Sequence, residues 1–99
     1  MYSENITMEK PIIEIEYCTK CRWLARASWM AQELLSTFSN EIGGITLIPS
    51  SIAGIFEIRC GRKIIWERGK KKGMPEIKPL KQKVRDIIAP DKDLGHIDS

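Results

Sequence analysis

The chain has 99 residues, with 16 Lys and Arg against 13 Asp and Glu for a net charge of +3. Hydrophobic residues make up 42% and charged residues 29%, the balance of one folded domain rather than a disordered or fibrous chain. An excess so small and so mixed gives no footing for nucleic-acid binding, and no apolar run approaches the ~20 residues of a membrane-spanning helix.

Residues 1–10 are polar, lack the apolar stretch of a signal peptide, and are expected to be a disordered N-terminal segment. The folded domain is expected over 11–90. Ile12-Ile13-Glu14-Ile15-Glu16-Tyr17 alternates as a strand, with Ile13, Ile15 and Tyr17 on its buried face. Cys18-Thr19-Lys20-Cys21 breaks the pattern. From about Arg22 the period becomes helical, with Trp23, Leu24, Ala27, Met30, Ala31, Leu34, Leu35 and Phe38 as the apolar stripe. Thr19 is the expected N-cap, because its hydroxyl could accept from a free N–H of the first turn. Ser39-Asn40 and Gly43-Gly44 end the helix. Ile45-Thr46-Leu47-Ile48 is a second strand, stopped by Pro49 and parallel to the first through a right-handed crossover.

After a loop over 49–54, Ile55 to Cys60 alternates again, with Phe56, Ile58 and Cys60 on one face. Gly61-Arg62 fits a two-residue hairpin turn, and Lys63 to Glu67 returns as the antiparallel partner. Lys70-Lys71-Lys72 between glycines reads as a solvated loop. Pro79 suits the first turn of a last helix carrying Leu80, Val84, Ile87 and Ile88, which Pro90 stops. Residues 91–99 read as a polar tail. The order β-α-β-β-β-α predicts an α/β chain built as an α+β two-layer sandwich: a mixed four-stranded sheet under two helices, in the outline of a reduced thioredoxin-like fold.

The chemistry concentrates at Cys18 and Cys21. Three cysteines are too few, and odd in number, for a disulfide framework, and without an export signal the expected compartment is the reducing cytoplasm. A Cys-x-x-Cys between a strand and a helix places thiols near free N–H groups and the positive end of the helix dipole, which favour a thiolate. Lys20 and Arg22 add positive potential. Two intervening residues let the sulfurs meet across one turn, so a thiolate that attacks a disulfide can be released by its neighbour. The competing readings are two incidental thiols, or half of a metal site. The latter lacks ligands: Cys60 is expected to be a buried, inert thiol and His96 to be solvated, so no metal and no bound cofactor are expected. Trp29 falls off the helical stripe and is expected at the surface. Ser50 and Ser51 have no neighbouring histidine to serve as a base.

Taken together, these residues resemble the Rdx family, the bacterial relatives of selenoproteins W, T and H. Tyr17-Cys18-Thr19-Lys20-Cys21 is similar to the family's redox motif at the end of its first strand. Gly54-Ile55-Phe56-Glu57-Ile58 is similar to the Gly-x-Phe-Glu segment at its third. The run from Trp23 to Ala27 looks like the bacterial branch, and the order of elements agrees over residues 11 to 90. The resemblance implies a thioredoxin-like fold and a thiol-based redox role. Cys18 and Cys21 would be catalytic, supported by Thr19, Lys20, Arg22, Gly54 and Phe56. Cys21 stands where animal members carry selenocysteine. No tryptophan precedes Cys18, no proline lies between the cysteines, and Ala53-Gly54 replaces the proline that thioredoxins place before the third strand. These departures point away from a general protein-disulfide reductase and toward a smaller disulfide, a peroxide or a dedicated protein partner; the expected partner is a disulfide-containing protein or a small thiol such as glutathione, not nucleic acid or membrane, with the chain a monomer or weak homo-oligomer. The rival function is a non-catalytic, redox-sensing interaction module.

Overall fold

The structure is a computed structural model that describes residues 9–69 and 73–95. The lysine run at 70–72 and His96 therefore lie outside the described residues, as do most of the expected N-terminal segment and the end of the tail. The elements are β1 (Ile12–Cys18), α1 (Leu24–Thr37), β2 (Gly44–Ser50), β3 (Phe56–Cys60), β4 (Lys63–Glu67) and α2 (Ile77–Ile88). They form one four-stranded sheet in the order β2-β1-β3-β4, with β1 parallel to β2, antiparallel to β3, and β3 antiparallel to β4. This is the mixed sheet under two helices that the sequence predicts.

The alternation of β1 decides which face is covered. Ile13, Ile15 and Tyr17 are buried beneath the helices together with Phe56 and Ile58 of β3. Ile12, Glu14 and Glu16 turn to the opposite, open face. There Arg59 of β3 reaches Glu14 at 2.9 Å, Glu16 at 3.0 Å and Glu57 at 3.3 Å. Like charges side by side on one face repel, and a guanidinium with its fork of donors between three carboxylates offsets that repulsion.

The helices depart from their expected stripes in an instructive way. Ala27, Met30, Ala31 and Leu34 of α1, with Phe38 just beyond it, are buried. Leu24 and Leu35, expected in the same stripe, are exposed. At 3.6 residues per turn both sit roughly a quarter-turn from the centre of the buried face, beyond the width the sheet covers. Trp29 is exposed, as its position off the stripe predicts. In α2, Leu80 and Val84 are buried and Ile88 packs against the core. Ile87 is at the surface instead, and Lys81 takes a buried place. Its aliphatic stem covers apolar surface while its Nζ meets Glu33 of α1 at 2.9 Å. The helix begins at Ile77, so Pro79 is third in it, still within the turn where no N–H is required.

Gly61 and Arg62 form the hairpin turn between β3 and β4, with a positive φ of 60° at Gly61 alone, the pattern of a turn with glycine first. The β3–β4 register shifts between Ile58 and Arg59, a bulge that the even alternation of β3 does not announce.

The largest correction is in β2. It runs through Pro49 to Ser50 rather than stopping at Ile48. Proline lacks a donor, which is harmless in an edge strand when its nitrogen faces away from the neighbour. The Ser50 carbonyl accepts from Thr19 on the β1 side, so the backbone groups of alternate residues Ile45, Leu47 and Pro49 turn to the open edge. Pro49 therefore continues the strand at no cost in ladder bonds, and the extra residues carry Ser50 to a position directly beside Cys18.

Candidate redox site

Cys18 is the last residue of β1. Its N–H donates to the Ile55 carbonyl at 2.9 Å, which extends the β1–β3 ladder, and the residue is 1% exposed. Thr19 to Arg22 then form a tight turn, closed by the Arg22 N–H donating to the Thr19 carbonyl at 3.3 Å. Arg22 has φ 61°, a left-handed conformation uncommon for a residue with a β-carbon. The turn brings Cys21 back over Cys18. The two are paired as a disulfide with their Cα atoms 5.4 Å apart, inside the span such a bridge requires.

Two expectations about this junction are corrected. Thr19 does not cap the helix. Trp23 is the N-cap, without a side-chain bond, and the Thr19 hydroxyl instead donates to the Ser50 carbonyl at 3.2 Å. Arg22, expected at the helix start, reverses the chain ahead of it, so α1 begins only at Leu24 and Cys21 stands just outside the helix. Cys18 is enclosed by the strands on either side, and Cys21, on the turn, is the half-buried member of the pair.

The remaining expected site residues gather here. Lys20 and Arg22 are exposed on the turn. Gly54 has φ 78° and ends the loop whose next carbonyl holds Cys18. Phe56 is buried, and the Trp23 ring stands edge-on to it with centroids 6.0 Å apart. Side chains that sequence reasoning missed complete the surroundings. The Arg68 guanidinium lies over the Trp23 ring at 5.0 Å and reaches the Gly54 carbonyl at 3.5 Å. Ser50 is buried, its hydroxyl accepting from the Ile52 N–H at 3.2 Å. The neighbouring Ser50 hydroxyl, together with the Arg59 guanidinium at 3.0 Å, holds the Glu16 carboxyl below the usual carboxylate range. No local pattern marks Arg68 or Ser50; both depend on strand pairings distant in sequence.

Cys60, at the far end of β3, is half-buried rather than fully enclosed, and burial pushes its thiol up. Among the described residues, no group of three or more His, Cys, Asp or Glu side chains is placed to hold a metal ion. Alkylation of the reduced protein is expected to modify Cys21 first and Cys60 at least ~10-fold more slowly, because a raised pKa leaves less thiolate. Mass mapping of iodoacetamide-labelled peptides over time checks this. Equal labelling of Cys60 and Cys21 would contradict the contrast in their environments.

A two-layer mixed sheet with a Cys-x-x-Cys turn leaving its first strand defines the class, a small thioredoxin-like α+β domain with a vicinal thiol pair. The sequence pattern of the Rdx family matches residues 12–86, and the chain belongs to that family. Two solved structures are similar to it. A protein from Bordetella parapertussis is 49% identical, with a TM-score of 0.76 over 81% of this chain and 100% of the other. A selenoprotein W-related protein from Vibrio cholerae is 51% identical, with a TM-score of 0.75 over 80% of this chain and 98% of the other. Among curated proteins none matches the chain. The family membership and the sulfur pair together suggest a redox-type function.

Proposed function

We propose that the protein is a thiol–disulfide oxidoreductase whose working groups are Cys18 and Cys21, acting in the cytoplasm on a disulfide-containing protein or a small disulfide such as that of glutathione. The observation that carries this reading is the turn itself, which holds the two Cα atoms 5.4 Å apart with one sulfur-bearing residue enclosed and the other half-buried on the turn. In the reductive direction the Cys21 thiolate attacks a substrate disulfide. Its sulfur forms a bond to one substrate sulfur while the substrate S–S bond breaks, and the departing thiolate takes up a proton. Cys18 then loses its proton and attacks the Cys21 sulfur, releasing the second substrate thiol. The pair ends as a disulfide, having given up two electrons and two protons, and an external thiol reductant restores it.

Equilibration with glutathione buffers of graded poise tests the reading. The expected result is a reversible loss of the two motif thiols per chain, with the oxidised monomer lighter by two hydrogens. Intermolecular dimers as the main oxidised product would overturn it. The sensor alternative draws on Ile52, exposed on the loop tied to Ser50, where a partner could read the state of the pair. Multiple turnovers with a thiol reductant and a small disulfide favour the enzyme, and a single stoichiometric reaction favours the sensor.

A further inference from the structure

We infer that Ser50 is a positioning residue that, with Thr19, clamps the Cys18–Cys21 turn and thereby sets its thiol–disulfide equilibrium; this rests on the redox reading above. The Ser50 carbonyl is the common acceptor for the Thr19 N–H at 3.3 Å and the Thr19 hydroxyl at 3.2 Å. The first residue of the turn is thus held at two points from the neighbouring strand. Ser50 is held in its turn. It is buried, stands in register with Cys18, and accepts from the Ile52 N–H at 3.2 Å.

The turn needs such an anchor. Arg22 is left-handed at its far end, a conformation that persists in a non-glycine residue only where the surroundings fix it. The ring between the cysteines closes only when both sulfurs arrive together, and a pre-formed turn removes much of the entropy cost of that meeting. The closed disulfide depends on the turn geometry more than the open dithiol does, since two free thiols tolerate a wider separation. Loosening the clamp therefore shifts the pair toward the dithiol.

The experiment is equilibration of the full-length oxidised protein with dithiothreitol. Dithiothreitol closes to its cyclic disulfide as the Cys18–Cys21 bond breaks, and two electrons and two protons pass to the pair. Thr19→Val keeps the shape of the side chain and removes its donor, and Ser50→Ala releases the Ile52 N–H. Each is expected to raise the equilibrium constant for reduction about fivefold, the worth of roughly one hydrogen bond, or about 20 mV for a two-electron couple. Thr19→Ser, which keeps the hydroxyl, is expected to titrate like wild type. Thr19→Val, at an exposed position, decides the matter if Ser50→Ala fails to fold. Variants that lose thermal stability but titrate within twofold of wild type would show a merely structural role and overturn the inference. A wild-type chain that forms no reversible disulfide overturns the redox reading and the clamp together, whereas a reversible wild type with unshifted variants overturns the clamp alone.

Discussion

Replacing Cys21 with serine is expected to lower the rate of mixed-disulfide formation with a small aromatic disulfide by on the order of 10³-fold or more. A hydroxyl is not ionised near neutral pH and is no substitute for a thiolate nucleophile. Cys18→Ser is expected to behave differently. The attack still occurs, and the mixed disulfide on Cys21 accumulates because no second thiol releases it. The geometry supports this assignment. Cys18 is enclosed between β2 and β3 and tied through its N–H to Ile55, whereas Cys21 sits on the turn with Lys20 and Arg22 flanking it. Rapid mixing with an absorbance readout, followed by intact mass, separates the two variants. If Cys18→Ser is inert and Cys21→Ser traps the adduct, the order of attack is reversed.

Phe56→Ala is expected to destabilise the domain by about 3–5 kcal/mol, the range for removing a fully buried aromatic side chain from a packed core. A domain of this size has a total stability near the lower end of ~5–15 kcal/mol, so the variant is expected to be substantially unfolded by moderate denaturant. Phe56 shares one core cluster with the buried residues of both helices and also supports Trp23, the residue from which α1 starts and on which Arg68 rests. Its removal is therefore expected to loosen the segment that follows Cys21 as well as the core. Phe56→Leu, which refills much of the volume, is expected to recover most of the loss. Urea unfolding followed by circular dichroism measures both. A loss below ~1 kcal/mol for Phe56→Ala would contradict the burial of this ring.

The parts of the fold visible in the sequence are those with a local cause. The alternation in β1 and β3, the glycine at the hairpin and the helical period of α1 each report a neighbouring backbone geometry, and each marks its element, although α1 starts two residues later than its period suggests. Leu24, Leu35 and Ile87 show the limit of that reasoning. Apolar character places a residue in the stripe, but the width of the sheet beneath decides whether it is covered. Pro49 shows another limit, because its power to stop a strand depends on whether that strand is central or at an edge. In the site, the cysteine pair and its place between strand and helix were readable from spacing. The roles of Thr19, Ser50 and Arg68 were not. Thr19 had two possible partners, the N–H donors of the helix N-terminus and a carbonyl acceptor of the adjacent strand, and only the pairing of β1 with β2 decides between them.

The proline at the end of β2 also bears on how copies of this chain meet one another. The outer border of β2 is uncharged from Gly44 to Ser50, and an uncharged border with free amide groups invites a second chain to add its own strand. Pro49 takes one of the outward amide donors away, leaving those of Ile45 and Leu47, and its ring stands where an incoming backbone would have to approach. The same residue that lets the strand run on beside Cys18 thus guards the sheet against growth from that side.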